Sequence, residues 1–110
     1  MKGAEIEVVT DYKDDENFKS DRQIYVNLSE EVKSFHSLSE NTKIALEKLS
    51  LLKSLVLAIT NFDSHLKMMI SKYPEYYTEM KPYLDELIRQ NGLFLSSTKL
   101  QLTALNKSIN

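Results

Sequence analysis

From Leu38 to Ile70 an apolar or small residue recurs at nearly every step of a 4-3 repeat: Leu38, Thr42, Ala45, Leu49, Leu52, Val56, Ile59, Asp63, Leu66 and Ile70. A second seam runs beside it through Ile44, Lys48, Leu51, Leu55, Ala58, Phe62, His65 and Met69. A mean spacing of about 3.5 residues keeps one stripe of a helix turned towards a partner. Two adjacent stripes make an apolar face wider than one partner helix covers, so this segment is expected to be a long helix packed against several others.

The last third of the chain repeats the pattern at Leu84, Ile88, Asn91, Leu95, Thr98, Leu102, Leu105 and Ile109, with Leu87 and Phe94 widening the face. Tyr73-Pro74 is expected to end the main helix, because the residue before a proline is pushed out of the helical region. Pro74 and Pro82 both suit first-turn positions. The pattern therefore predicts a short turn or helix at 74–81 and a last helix from about Pro82 to Lys107. The short connection makes that helix antiparallel to its predecessor. Upstream, Asn27-Leu-Ser-Glu30 and Ser37-Leu-Ser-Glu40 both have capping-box spacing. The first helix is expected to start after Asn27 or Ser29, with a break or kink near Ser34–Ser37. The main helix then runs to about Lys72, roughly 35 residues or about 50 Å at 1.5 Å per residue.

Residues 1–26 do not share this period. Glu5–Val9 and Gln23–Val26 are short β-like runs on either side of the polar stretch Asp11–Asn17. A β-hairpin with a long loop and an irregular leader that orders on a partner are both compatible. A two-stranded hairpin alone is marginal in water, which favours mostly irregular structure. The expected fold is thus all-α: an antiparallel bundle of about three helices over 27–110, behind a non-helical acidic leader at 1–26.

Composition sharpens this picture. Two Gly and two Pro in 110 residues suit few, long elements and one domain. There is no Cys, which removes disulfides and thiolate metal sites and is compatible with a reducing, cytoplasmic setting. No run of about 18 uncharged apolar residues occurs, so no membrane span is expected. Acids in Met1–Glu7 leave no apolar stretch of the kind a secretory signal needs. Residues 1–31 hold nine acids against four bases, whereas 32–110 hold seven against ten. An acidic leader on a mildly basic bundle reads either as an arm for a basic partner or as a solvated tail.

Candidate chemistry is sparse. His36 and His65 have no short-spaced companion for a zinc site, and no Glu-x-x-His motif is present. His65 reads as a partly buried structural histidine or a pH-sensitive core group. Asp63 on the apolar seam reads as a register-setting polar residue or a raised-pKa acid without a second carboxylate at matching spacing. Asn91 and Thr98 are specificity devices or an interface edge. Gly92 in mid-helix costs about 1 kcal/mol relative to Ala. It either permits a close backbone approach or is a tolerated defect. Tyr73, Tyr76, Tyr77, Met80 and Tyr83 form a cluster that packs on the bundle end or, with Met68 and Met69, offers adaptable binding surface. Basic residues are scattered singly and phosphate-binding glycine loops are absent, so neither nucleic acid nor a small-molecule substrate or cofactor is expected.

Leu87-Ile-Arg-Gln-Asn91-Gly-Leu-Phe94-Leu95, followed by Leu100, Leu102 and Leu105, resembles the C-terminal helix of FlgN-type flagellar export chaperones. Ala45-Leu-Glu-Lys48-Leu-Ser-Leu-Leu52 is similar to that family's second helix. The resemblance spans about 40–105 and departs at residues 1–27, where family members have a long first helix. It implies a helix that cradles an amphipathic partner segment, with Asn91, Leu95 and Leu102 facing it.

These readings converge on a non-enzymatic helical protein–protein interaction module. With only three helices, some of the double seam is expected to meet another chain, either a protein partner or a second copy. The candidate contact residues are Phe62, Met69, Tyr77, Met80, Asn91, Phe94, Leu95 and Leu102. An export chaperone or adaptor is one form this takes. A structural subunit of an oligomeric or phage-type assembly, and a small inhibitor or immunity-type protein acting through the acidic leader, are the alternatives.

Overall fold

A computed structural model of the chain describes residues 11–110. A single 3-10 turn, Tyr12–Asp14, is followed by three helices: α1 (Glu16–Asn41), α2 (Ala45–Lys72) and α3 (Pro74–Ile109). The helices run antiparallel in sequence order, and α2 packs against both α1 and α3. Among the described residues no helix is long and apolar enough to cross a membrane.

The all-α expectation holds, but α1 begins at Glu16, more than three turns before the start after Asn27 or Ser29 that the pattern suggested. Asp15 is its N-cap: its backbone is extended and its carboxylate accepts the amide N–H of Asn17 at 2.8 Å. Glu16 in the first turn adds a negative charge where the helix dipole favours one. Gln23–Val26 is therefore helical rather than β-like, and residues 16–26 belong to α1. The physical reason is tertiary. Phe18 and Tyr25, one heptad apart, are both buried, and Tyr25 stacks edge-on against Phe62 of α2 at 5.2 Å. That burial outweighs the local β preference of Ile24 and Val26. The β-like run Glu5–Val9 lies outside the described residues.

The break before the main helix also moves. Ser34–Ser37 stays inside α1, and the chain turns at Thr42–Ile44. Continuity through the serines keeps Val32, Phe35 and Ser39 turned towards the core. Ser39 satisfies its hydroxyl by donating to the carbonyl of His36 at 2.8 Å. Thr42 leaves the helix with extended backbone and donates its hydroxyl to the carbonyl of Leu38, closing the terminus.

The α2–α3 joint is the one predicted. Tyr73 is non-helical, its N–H still donates to the carbonyl of Met69 at 2.8 Å, and Pro74 opens α3 at its first turn. Met80 departs from helical dihedrals (φ −110°, ψ 15°), two residues before Pro82. Pro82 has no N–H for the carbonyl four residues back and its ring crowds that carbonyl, so a kink there is required. The short 74–80 segment and the long arm from Pro82 are thus two pieces of one kinked helix.

Two clusters form the core. Phe18, Tyr25, Phe62, Leu66, Met69, Tyr73, Tyr76 and Leu84 make an aromatic cluster near the Tyr73 joint. Leu52, Leu55 and Ile59 make an aliphatic one towards the Thr42–Ile44 turn, flanked by half-buried Val32, Phe35, Phe94, Leu95, Leu102 and Leu105.

Candidate functional site

From Leu52 to Met69 both seams of α2 are occupied by α1 and α3. Leu52, Ile59 and Leu66 of the first seam, and Leu55, Ala58, Phe62 and Met69 of the second, are all buried. The surplus face expected there is filled within the chain. Phe62 and Met69 are core residues and not surface contacts.

In the tyrosine corner Tyr73 and Tyr76 are buried, whereas Tyr83 is 56% exposed. Phe18 meets Tyr73 and Tyr76 edge-on at 5.0 and 5.1 Å, and Tyr12 from the 3-10 turn closes over Phe18 at 4.9 Å. The hydroxyls of Tyr12, Tyr73 and Tyr77 find partners in the chain. Tyr12 donates to Glu79, whose other oxygen accepts Lys13 at 3.3 Å. Desolvation, with the Glu79 carboxylate, pushes the Tyr12 hydroxyl up to about 12. Tyr77, half-buried, donates to Asp85 at 2.7 Å and accepts from Lys81 at 2.8 Å. Met80 lies partly exposed at the kink.

Asp21 of α1 is the hub of the densest polar group. Its Oδ2 accepts the Tyr73 hydroxyl at 2.5 Å and Lys72 Nζ at 3.0 Å. The Tyr73 hydrogen bond, followed by Lys72, holds its carboxyl below the ordinary aspartate value despite desolvation. His65 Nε2 lies 2.8 Å from the backbone carbonyl of Asp21, not from its carboxylate. The group ties the start of α1 to the end of α2 and commits its polar atoms to that task. This is the structural reading of His65. Among the described residues no group of three or more His, Asp or Glu is placed to hold a metal ion.

Asp63 and Asn91 meet. Asn91 Nδ2 donates to Asp63 Oδ1 at 3.3 Å, and Lys67 pairs with the other oxygen at 2.9 Å. Asn91 is buried, and the pair fixes the register of α2 against α3. Thr98, also buried, donates back to the carbonyl of Phe94. Phe94, Leu95 and Leu102 are half-buried around the aliphatic cluster, with Phe94 edge-on to His36 at 5.0 Å. Asn91, Leu95 and Leu102, which the chaperone resemblance turns towards a partner, here face the chain's own core.

The outer side of α3 is one of the surfaces that carry exposed large apolar side chains, beside Leu38, Ile44 and Leu46 near the Thr42–Ile44 turn. Between Arg89 and Lys107 the only charged residue is Lys99. On the side opposite buried Asn91 and Thr98, Leu93 is 57% exposed and Leu100 72% exposed, with exposed Ser96 and Ser97 between them. These two leucines lie seven residues apart on one line of the helix, among otherwise mainly polar exposed side chains. Leu57 is likewise 62% exposed on the back of α2. Gly92 belongs to this region: a Cβ added there would meet nothing within 4 Å, so no close approach inside the chain requires a glycine. Sequence reasoning followed the inward seam of α3 and passed over the outward one. Its signal was present as Glu86, Leu93, Leu100 and Lys107, four positions at steps of seven.

Comparison of the chain with family models, with curated proteins and with solved structures found no match.

Proposed function

We propose that this chain is a non-enzymatic helical interaction module, an adaptor or export-chaperone type of protein, whose outer α3 face receives an amphipathic helix. One observation carries the reading: two large leucines at coiled-coil spacing stand exposed on a stretch of α3 with a single charge. Isolated exposed leucines need no explanation, but a charge-poor stripe along a helix marks a face made for contact. The burial of Tyr73 and Tyr76 in the chain's own core supports placing the contact on α3 rather than at residues 68–83.

Cross-linking in cells with the tagged full chain, compared with a Leu93→Lys/Leu100→Lys variant, tests it. The expected result is a defined set of cross-linked species with the native chain that the variant loses. An identical set from both proteins would sink the reading.

A further inference from the structure

Resting on that reading and naming its partner, we propose that the outer face of α3 pairs with the same face of a second copy, antiparallel, about a two-fold axis between Ser96 and Ser97. The argument is the order of residues along the face. Glu86, Leu93, Leu100 and Lys107 follow one another at steps of seven, so they lie on one line of the helix. Turned end over end about the 96–97 midpoint, the line maps onto itself with complementary chemistry. Leu93 meets Leu100 of the second copy, Leu100 meets Leu93, and Glu86 and Lys107 meet each other at both ends. A two-fold interface needs this self-complementarity, since each contact occurs twice.

The parallel alternative is disfavoured by the same residues. It stacks leucine on leucine but sets Glu86 against Glu86 and Lys107 against Lys107, and facing like charges repel. The small side chains of Ser96 and Ser97 at the axis let two backbones come close. All of these positions are available: Leu93, Leu100, Ser96 and Ser97 are exposed, as are Glu86 and Lys107. Glu86 already accepts two hydrogen bonds from Arg89 and one from Gln90, which leaves one of the roughly four acceptor sites of a carboxylate for a second cation. Lys107 has no ion-pair partner among the described residues.

Light scattering behind size-exclusion chromatography on the full chain tests the pairing, with circular dichroism to verify the fold of each variant. The native chain is expected to run at twice its 12.7 kDa mass. Leu93→Lys and Leu100→Lys, each removing two anchors by symmetry, should weaken the dimer at least about 100-fold. Glu86→Lys alone and Lys107→Glu alone should each weaken it roughly tenfold, by facing like charges twice. The double variant Glu86→Lys/Lys107→Glu restores opposite charges and should dimerise like the native chain. A native chain monomeric up to about 200 µM, far above typical specific affinities, overturns the pairing. It leaves the broader interaction reading to the cross-linking comparison, which then points to a different partner. A dimer indifferent to the leucine variants, or one that the double reversal fails to restore, overturns the pairing as well.

Discussion

At the end where Tyr73 joins α2 to α3, eight side chains are buried together, five of them aromatic. At the end where Thr42–Ile44 joins α1 to α2, the buried apolar cluster is just Leu52, Leu55 and Ile59, with half-exposed neighbours leaning on them. The same three helices build both ends. The difference lies in side-chain type. An aromatic ring brings a large apolar area and, in tyrosine, a hydroxyl that must be bonded, so rings meeting at a corner draw a polar frame around themselves. Here that frame includes Asp21, Glu79 and Asp85. Leucines draw none. At the aliphatic end Ile44 and Leu46 stay 60% and 66% exposed, and α2 begins at Ile44 with no side-chain cap. The aromatic end is closed by a polar frame that joins different helices; the aliphatic end is closed by packing and by hydroxyls that bond within their own helix.

Core truncations test this contrast most sharply. Leu66→Ala, in the fully buried aromatic cluster, should destabilise the chain by about 3–5 kcal/mol in urea denaturation. Leu105→Ala, at the half-buried aliphatic end, should cost about 1–2 kcal/mol. Equal losses would erase the distinction between the two ends.

The polar frame is tested next. Asp21→Asn keeps the shape but removes the charge that binds Tyr73 and Lys72, and should cost about 1–2 kcal/mol near neutral pH. Because the native carboxyl titrates below its ordinary 3.8, its contribution is fully present above that value and disappears as pH falls through the lower native one. The variant should therefore show a flatter acid limb of stability against pH than the native chain. Parallel acid limbs would mean that the clamp stores no charge-dependent stability.

Gly92→Ala gives the smallest effect. Its new methyl meets open space, so it should stabilise the isolated chain by about 0.5–1 kcal/mol through helix propensity alone. A loss of stability would mean that α3 is tighter at this point than the geometry indicates.

Much of the architecture was legible in the heptads. The buried Leu52, Ile59 and Leu66 are all members of the first seam, and Tyr73-Pro74 and Pro82 marked the joint and the kink. The start of α1 was hidden because Asp15 is one acid among several, and only a helix already docked through Phe18 and Tyr25 makes it a cap. At the tyrosine corner, where the sequence left packing and binding both open, the structure packs Tyr73 and Tyr76 into the core, and the choice was hidden for a related reason. Residue type announces a side chain able to bind, but not whether its hydroxyl is already taken, and the partners of Tyr12 and Tyr73 lie 67 and 52 residues away in sequence.

The two joints have a consequence for how the chain can be cut. Between Glu16 and Ile109 only Thr42–Ile44 and Tyr73 lie outside a helix. Lys43 is thus the one basic residue in that span outside a helix, and a protease specific for lysine or arginine has one such point of entry within it. Cleavage there releases no loop. It converts a three-helix chain into a helix and a helical hairpin that still share their core, which makes α1 a detachable part whose hold on the rest can be weighed on its own.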